Sequence, residues 1–498
     1  METMFILKKC HRHVALILGV LFVFLAAGCS SDSSGTSSQV TLPLLIISDV
    51  HFTPFYDTTI FHELVNSPVE EWANIFESST VTDLSSWGQE TNYPLLKRAL
   101  AAASRSVGEG QVVIFPGDIL AHQFPEKFFK LYGEEDYDAL RSFVYKTVVF
   151  FATQVRERMG SIPVMFTLGN NDSYAGDYLL VPGGAFLADT AEAFYSTFLL
   201  GWADRKNYFS TYPAGGYFVA EPPGAKVLFV SVNSILFSKH RTDGCTDAPD
   251  NAATIQLDWL EQVLEKAHTD KKKVFMASHI PTGMSVYSTV QKYMDASGKI
   301  SDAQVFWTES CQTRFLEICR KYESVIEIVF SGHTHMDEYR LIPDRDGEPY
   351  KAIIVTPAVS PQFGNNPAFK VLTLRGEDWK PLNYTTVSCD LNLSSPDFST
   401  YYVFSEAYSM EAPLEESLVD LFPKMKNSDS DRKNYARFYY SGHDDANIID
   451  DTTWPAYWCG IGRMNRGEYI ECVNSYRYIL PYSFSRYHTN RPAMWCHR

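Results

Sequence analysis

The chain has 498 residues, 45% of them apolar and 20% charged, which excludes a disordered or collagen-like polymer and allows a sizeable buried core in two or three units. Its formal net charge of −16 excludes nonspecific nucleic-acid binding, which needs a Lys- and Arg-rich face to displace counterions. No nucleic-acid duplex is expected as a partner, and an anionic substrate has to be attracted locally, as bound metal cations would do.

At the N-terminus, Lys8, Lys9 and Arg12 precede an apolar run from Val14 to Ala27 that ends in Gly28-Cys29. This reads as a signal peptide over residues 1–28, the run being shorter than the roughly 20 residues of a spanning helix. The end Leu25-Ala26-Ala27-Gly28-Cys29 resembles a bacterial lipoprotein cleavage box, with Ala26 where Leu is commoner. That resemblance implies a lipid on Cys29, a Ser/Gly/Thr-rich tether over 29–41, and an exported protein anchored to a bacterial membrane at the periplasm or cell surface. A plain secretory signal with an ordinary Cys29 is the alternative.

From residue 42 onward, short apolar β-branched runs each end in a polar cluster. Leu42–Ile47 leads into Asp49-Val50-His51, Val112–Phe115 into Gly117-Asp118, and Val164–Leu168 into Gly169-Asn170-Asn171-Asp172. Val227–Val232 leads into Asn233, Val274–Ala277 into Ser278-His279, and Ile326–Phe330 into Gly332-His333-Thr334-His335. These runs predict buried strands. Amphipathic patterns between them predict helices over 94–107, 255–267 and 313–322, so the chain is expected to be a layered α/β protein. In such sheets ligands bind beyond the carboxyl ends of the strands, where every one of these clusters falls. Two divalent ions close together require a bridging carboxylate with neutral imidazoles and oxygen donors, and five strand ends offer such groups.

Cysteines add a second constraint. Besides Cys10 and Cys29 there are Cys245, Cys311, Cys319, Cys389, Cys459, Cys472 and Cys496, with no Cys-x-x-Cys pair. Zinc-ribbon spacing is absent, so an oxidising compartment predicts one to three disulfides and at least one thiol left over.

Taken together, Asp49-x-His51, Gly117-Asp118, Gly169-Asn170-Asn171-Asp172, His279 and Gly332-His333-x-His335 resemble the calcineurin-like metallophosphoesterases over about residues 42–385. The resemblance implies a four-layer α/β/β/α sandwich in which Asp49, His51, Asp118 and His335 hold one metal and Asp118, Asn170, His279 and His333 the other. Within that superfamily, Gly117-Asp118-Ile119-Leu120-Ala121-His122, Gln256 to Leu260, His279 to Gly283 and Thr356 to Pro361 resemble the acid sphingomyelinase-like phosphodiesterases. So does the segment 386–498, where Cys459 and Cys472 enclose Gly460 to Asn465; this implies a smaller, mainly helical C-terminal domain and makes those two cysteines the disulfide candidate. Two divalent ions are implied, with zinc favoured and iron or manganese also suited to the donors. The protein is expected to be monomeric.

Two departures bear on the substrate. No cysteine-rich saposin-like module precedes the first metal strand, which weakens a sphingomyelin assignment. Asn171 stands where most of the family has a histidine, the usual acid for the leaving oxygen. The implied mechanism is in-line attack on phosphorus by a metal-bound hydroxide, formed because coordination brings the pKa of water down to about 7. His122 is then the remaining imidazole that can serve as acid. Such a site suits a leaving group that is already a weak base, so a phosphodiesterase acting on nucleotides or other phosphoanhydrides is expected. A sphingomyelinase-like hydrolase of phospholipid head groups, a phosphomonoesterase, an endopolyphosphatase and a surface-anchored binding protein with a vestigial site are the alternatives. Trp87, Tyr174, Trp307 and Phe363 lie near the motifs and are candidates for stacking on a substrate.

Overall fold

A computed structural model describes residues 40–476 apart from 109–110, 223–224, 226 and 242–243. The signal peptide, the tether up to residue 39, Cys29 and Cys496 lie outside the described residues.

Among the described residues twelve strands form two sheets. They are β1 (Thr41–Ile46), β2 (Val113–Phe115), β3 (Val164–Phe166), β4 (Phe218–Ala220), β5 (Val227–Val232) and β6 (Lys273–Ser278), followed by β7 (Ile326–Ser331), β8 (Glu338–Pro343), β9 (Pro349–Val355), β10 (Ala368–Arg375), β11 (Pro381–Cys389) and β12 (Phe398–Val403). The first sheet has the order β12-β11-β10-β1-β2-β3 and the second β4-β5-β6-β7-β9-β8. Strands β1, β2 and β3 are mutually parallel, as are β5, β6, β7 and β9, so each sheet points a set of carboxyl ends the same way.

Alternation along the second sheet explains the layering. Phe229, Phe275, Ala277 and Phe330 join a core shared with Ile114, Met165 and Phe166 of the first sheet, whereas Val230, Val274, Met276 and Val329 join a second core with Leu257, Leu260, Leu264 and Phe315. Successive side chains of a strand point to opposite faces, so one run feeds both the inter-sheet core and the helical layer. The helices Tyr93–Arg105 and Tyr137–Met159 pack with the first sheet's side of the core, and Ala252–Thr269 and Glu309–Lys321 with the second's. The result is the four-layer sandwich.

Helix boundaries follow capping rather than apolar periodicity. The helix expected from residue 255 begins at Ala252 because the Asn251 side chain accepts from the Thr254 amide, and the one expected from 94 begins at Tyr93 because Asn92 accepts from that of Leu95. Residue 385, the expected end of the catalytic part, lies within β11, and β12 pairs with β11 as the edge of the first sheet. Helices Leu414–Asn427, Asp429–Tyr439, Trp454–Gly462 and Arg466–Ser475 then pack back on the sandwich within one compact unit. Cys459–Cys472 joins the last two helices and Cys245–Cys311 clamps the start of Glu309–Lys321, while Cys319 and Cys389 are buried free thiols. Among the described residues no helix is long and apolar enough to cross a membrane.

Candidate metal centre

Asp49 and His51 follow β1, Asp118 follows β2 and Asn170 follows β3, three neighbours in one sheet; His279 follows β6, and His333 and His335 follow β7, neighbours in the other. All seven side chains expected to hold metal converge where the two sets of strand ends meet. Asp49, His51, Asp118, His333 and His335 have φ of 49°, 43°, 61°, 75° and 65°, a left-handed backbone uncommon outside glycine. Each such residue costs about 1–3 kcal/mol, and clusters of them mark functional sites.

Two glycines of the motifs are required by close approach. A Cβ on Gly169 would stand 2.0 Å from Oδ1 of Asp118, and one on Gly332 2.3 Å from Oδ2 of Asp49. Backbone therefore lies directly against both carboxylates.

Asp118 is central. Its Oδ2 is 3.3 Å from Nε2 of His51 and 3.2 Å from Nε2 of His279. On one side, Nε2 of His335 lies 3.0 Å from Nε2 of His51 and 3.6 Å from Oδ1 of Asp49. On the other, Oδ1 of Asn170 lies 3.0 Å from Nε2 of His279 and 2.8 Å from Nδ1 of His333. Donor atoms within 4.8 Å of one another define two groups that could hold an ion, Asp49-Asp118-His279 and His51-His122-His335.

Outer partners aim these donors. Nδ1 of His51 faces the carbonyl of Leu120 at 3.0 Å and Nδ1 of His279 that of Pro116 at 2.9 Å, which turns each Nε2 inward. Asn171 donates its amide to Oδ1 of Asp118 at 2.8 Å and its Nδ2 to Oδ2 at 3.0 Å. The Asn171 side chain thus grips a carboxylate, and its own buried Oδ1 has no hydrogen-bond partner among the described residues. Asp172 accepts from the amides of Asp118, Ile119, Leu120 and Gly169 at 2.9–3.2 Å, tying the β2 and β3 loops together.

Burial alone would raise the carboxylates, but the hydrogen bond to His51 and the nearby imidazoles bring Asp49 to about 2, and charge on His279 and His51 holds Asp118 well below the usual range. Burial opposes a charged ring on His279, yet Asp118 outweighs it and raises that ring to about 9. Burial, with His279 beside it, lowers His333 to about 3, and burial only partly offset by Asp49 keeps His335 well below its ordinary value. Burial and the Asp118 charge push Asp172 up to about 6. Neutral imidazoles and ionised carboxylates are what divalent cations take.

The flanks differ. Beside His51, the His122 ring stacks at 4.1 Å, and Nδ1 of His122 faces Oε1 of buried Glu90 at 3.0 Å; Glu90 also binds Lys127. Burial, then His51, lowers His122 against the pull of Glu90. Half-exposed Phe363 meets His335 and His122 edge-on. Beside His333, the Tyr178 hydroxyl lies 3.4 Å from Nε2, and Asp177 accepts from Nδ2 of Asn170 at 2.6 Å. Of the four stacking candidates, only Phe363 reaches the centre. Trp87 stacks on His443, Tyr174 bonds Asp189, and Trp307 is core. Glu90, Tyr178 and Asp177 carry no sequence signal, because they come from loops without a motif.

The Calcineurin-like phosphoesterase family model matches residues 42–337. The chain is 24% identical over 456 residues to the cyclic GMP-AMP phosphodiesterase SMPDL3A of Mus musculus, covering 86% of this chain and 91% of that protein. It is 21% identical over 447 residues to the acid sphingomyelinase-like phosphodiesterase 3b of Homo sapiens, covering 86% and 89%. It is 23% identical over 380 residues to the sphingomyelin phosphodiesterase of Homo sapiens, covering 72% and 53%.

Proposed function

The chain belongs to the calcineurin-like phosphoesterase family, and on that premise we propose that it is a two-metal phosphodiesterase acting on nucleotides or other phosphoanhydride and phosphodiester substrates. The observation that carries this reading is the position of Asp118, whose Oδ2 stands between His51 and His279 at 3.3 and 3.2 Å.

The donors fit divalent cations, since buried ring nitrogens of His51 and His335 face each other at 3.0 Å beside carboxylates held ionised. Asp49, His51, Asp118 and His335 would hold one ion, and Asp118, Asn170, His279 and His333 the other. Zinc is the first choice, with iron and manganese as alternatives. When bound, such ions supply Lewis-acid charge at the phosphoryl oxygens and activate water at neutral pH.

The chain's own residues do the rest. Glu90 holds Nδ1 of His122, which leaves Nε2 as the atom that gives a proton to the leaving oxygen. Asn171 carries no acidic proton, and with both its donors on Asp118 its role is to hold the shared carboxylate. With one imidazole at hand for the acid's role, the favoured leaving group is a weak base such as a phosphate or nucleotide. The relatives' names, cyclic GMP-AMP phosphodiesterase and sphingomyelin phosphodiesterase, bracket the choice, and the site's acid supply favours the nucleotide side. Export with a lipid on Cys29 belongs to the same reading, supported by the residues that precede it.

The test is a panel of ATP, ADP, polyphosphate, sphingomyelin and nitrophenyl mono- and diesters on metal-quantified protein. The reading expects the highest kcat/KM on the nucleotides or the diester. A preference for sphingomyelin, or no turnover by protein carrying two metals, would sink it.

A further inference from the structure

Asn170 differs from the histidines and aspartates of the cradle in that the two ends of its amide have nearly the same shape and opposite chemistry. Oδ1 carries lone pairs for a cation, whereas Nδ2 is a donor alone. Turned over by about 180°, the same amide would aim N–H groups at Nε2 of His279 and Nδ1 of His333, which now face Oδ1 at 3.0 and 2.8 Å. Packing by shape separates the two orientations poorly, so a hydrogen bond has to choose between them.

Asp177 makes that choice. Its Oδ1 accepts from Nδ2 of Asn170 at 2.6 Å, a contact open only to the donor end of the amide, because an ionised carboxylate is all acceptor. The loop that carries Asp177 is closed on itself. The Tyr178 amide donates to the Asn170 carbonyl at 2.8 Å, and the Ser173 hydroxyl donates to the Gly176 carbonyl at 2.7 Å while accepting from the Gly176 amide at 2.9 Å. Directly after Asp177, Tyr178 takes a left-handed φ of 59°, uncommon for a bulky residue. Backbone thus returns position 177 onto position 170. His51 and His279 are aimed by backbone carbonyls, those of Leu120 and Pro116, whereas buried Asn170 is aimed by the side chain of an exposed residue. An exposed acid packs little, so its removal tests the hydrogen bond rather than the core.

We propose that Asp177 is a positioning residue: by holding Nδ2 it keeps Oδ1 of Asn170 turned toward the ion that Asp118, Asn170, His279 and His333 would hold. The inference rests on the two-metal reading and makes this ion, rather than the one at His51 and His335, depend on Asp177.

The test is chelator competition with zinc on the full chain, giving a dissociation constant for each of two ions. In Asp177→Leu, which keeps the bulk and removes the acceptor, one constant should rise about ten- to a hundredfold while the other moves less than about threefold. Asp177→Asn still offers a carbonyl oxygen to Nδ2 and should restore most of the affinity. In an Asn170→Ala background, Asp177→Leu should add nothing, because its effect passes through Asn170. Asp177→Ala, read the same way, covers the case in which leucine disturbs the loop. Equal weakening of both ions, no weakening, Asp177→Asn as poor as Asp177→Leu, or a full effect in the Asn170→Ala background would overturn the inference. Wild type that takes up fewer than two ions at saturating zinc would sink the two-metal reading and the inference with it, whereas any of the other failures, against wild type holding two ions, belongs to Asp177 alone.

Discussion

The flank at His51 and the flank at His333 are made of different chemistry around one shared carboxylate. At His51 every charge is compensated: Glu90, almost fully buried, answers both His122 and Lys127, and His122 stacks at 4.1 Å on a ring expected to hold metal. At His333 the neighbours are aromatic instead: Tyr178 stacks on His240 at 4.2 Å and meets His333 edge-on, as does Phe306 at 5.2 Å. A compensated imidazole is fixed in orientation and suits proton delivery. The contrast makes the His51 flank the side on which proton delivery is proposed.

The largest effect should come from breaking what the flanks share. Asp118→Asn is expected to lower kcat on bis-4-nitrophenyl phosphate by about a thousandfold or more, the equivalent of several kcal/mol at about 1.4 kcal/mol per tenfold, with metal content falling below two per chain. Retention of both ions and near-normal kcat would break the comparison at its centre.

Next, His122→Ala should cost about a hundredfold or more in kcat on an alkyl phosphodiester and much less on a nitrophenyl one, whose leaving oxygen needs no proton. Equal losses on the two would remove His122 from the acid's role. Asn171→His should recover part of the alkyl activity if it supplies a second imidazole. Glu90→Gln keeps the shape but loses the charge behind His122, and about a tenfold fall in kcat, with the alkaline side of the pH profile moved and KM little changed, is expected. A structural role alone would leave the pH profile in place.

The smallest effect is on stability and separates apo from loaded protein. Since His279 is raised from 6.5 to about 9 by Asp118, the folded metal-free protein holds a proton that the unfolded chain releases earlier. That contribution is complete below pH 6.5 and is lost as pH rises toward 9, so Tm of chelated protein should fall across that window. The metal-loaded protein needs His279 neutral, and its Tm should hold or rise there. Parallel curves with and without chelator would show that His279 does not meet a metal.

Much of the cradle is legible in the amino-acid sequence. Strand-then-ligand order places Asp49, His51, Asp118, Asn170, His279, His333 and His335, because each donor lies within five residues of a strand end. The glycines are equally readable: Gly169 and Gly332 exist because backbone abuts the carboxylates of Asp118 and Asp49. Less is legible in the aromatics, since proximity in sequence to a motif says nothing about which face a ring takes. Trp307 lies one residue from Phe306 and is core, while Phe306 touches His333.

By itself the sequence determined the layered sheets and the strand ends at which the seven side chains proposed to hold metal fall, because these depend on local periodicity and on the order of residue types along the chain. Only the tertiary structure decided what surrounds them. Glu90 reaches His122 across 32 positions of chain, and Tyr178 reaches His333 across 155, with no spacing rule to announce either. The same holds for Asn171, whose amide and side chain both turn to Asp118 because the β3 loop folds over the end of β2. Side-chain partners are set by which strands lie next to each other, and that is a property of the sheets rather than of any one segment.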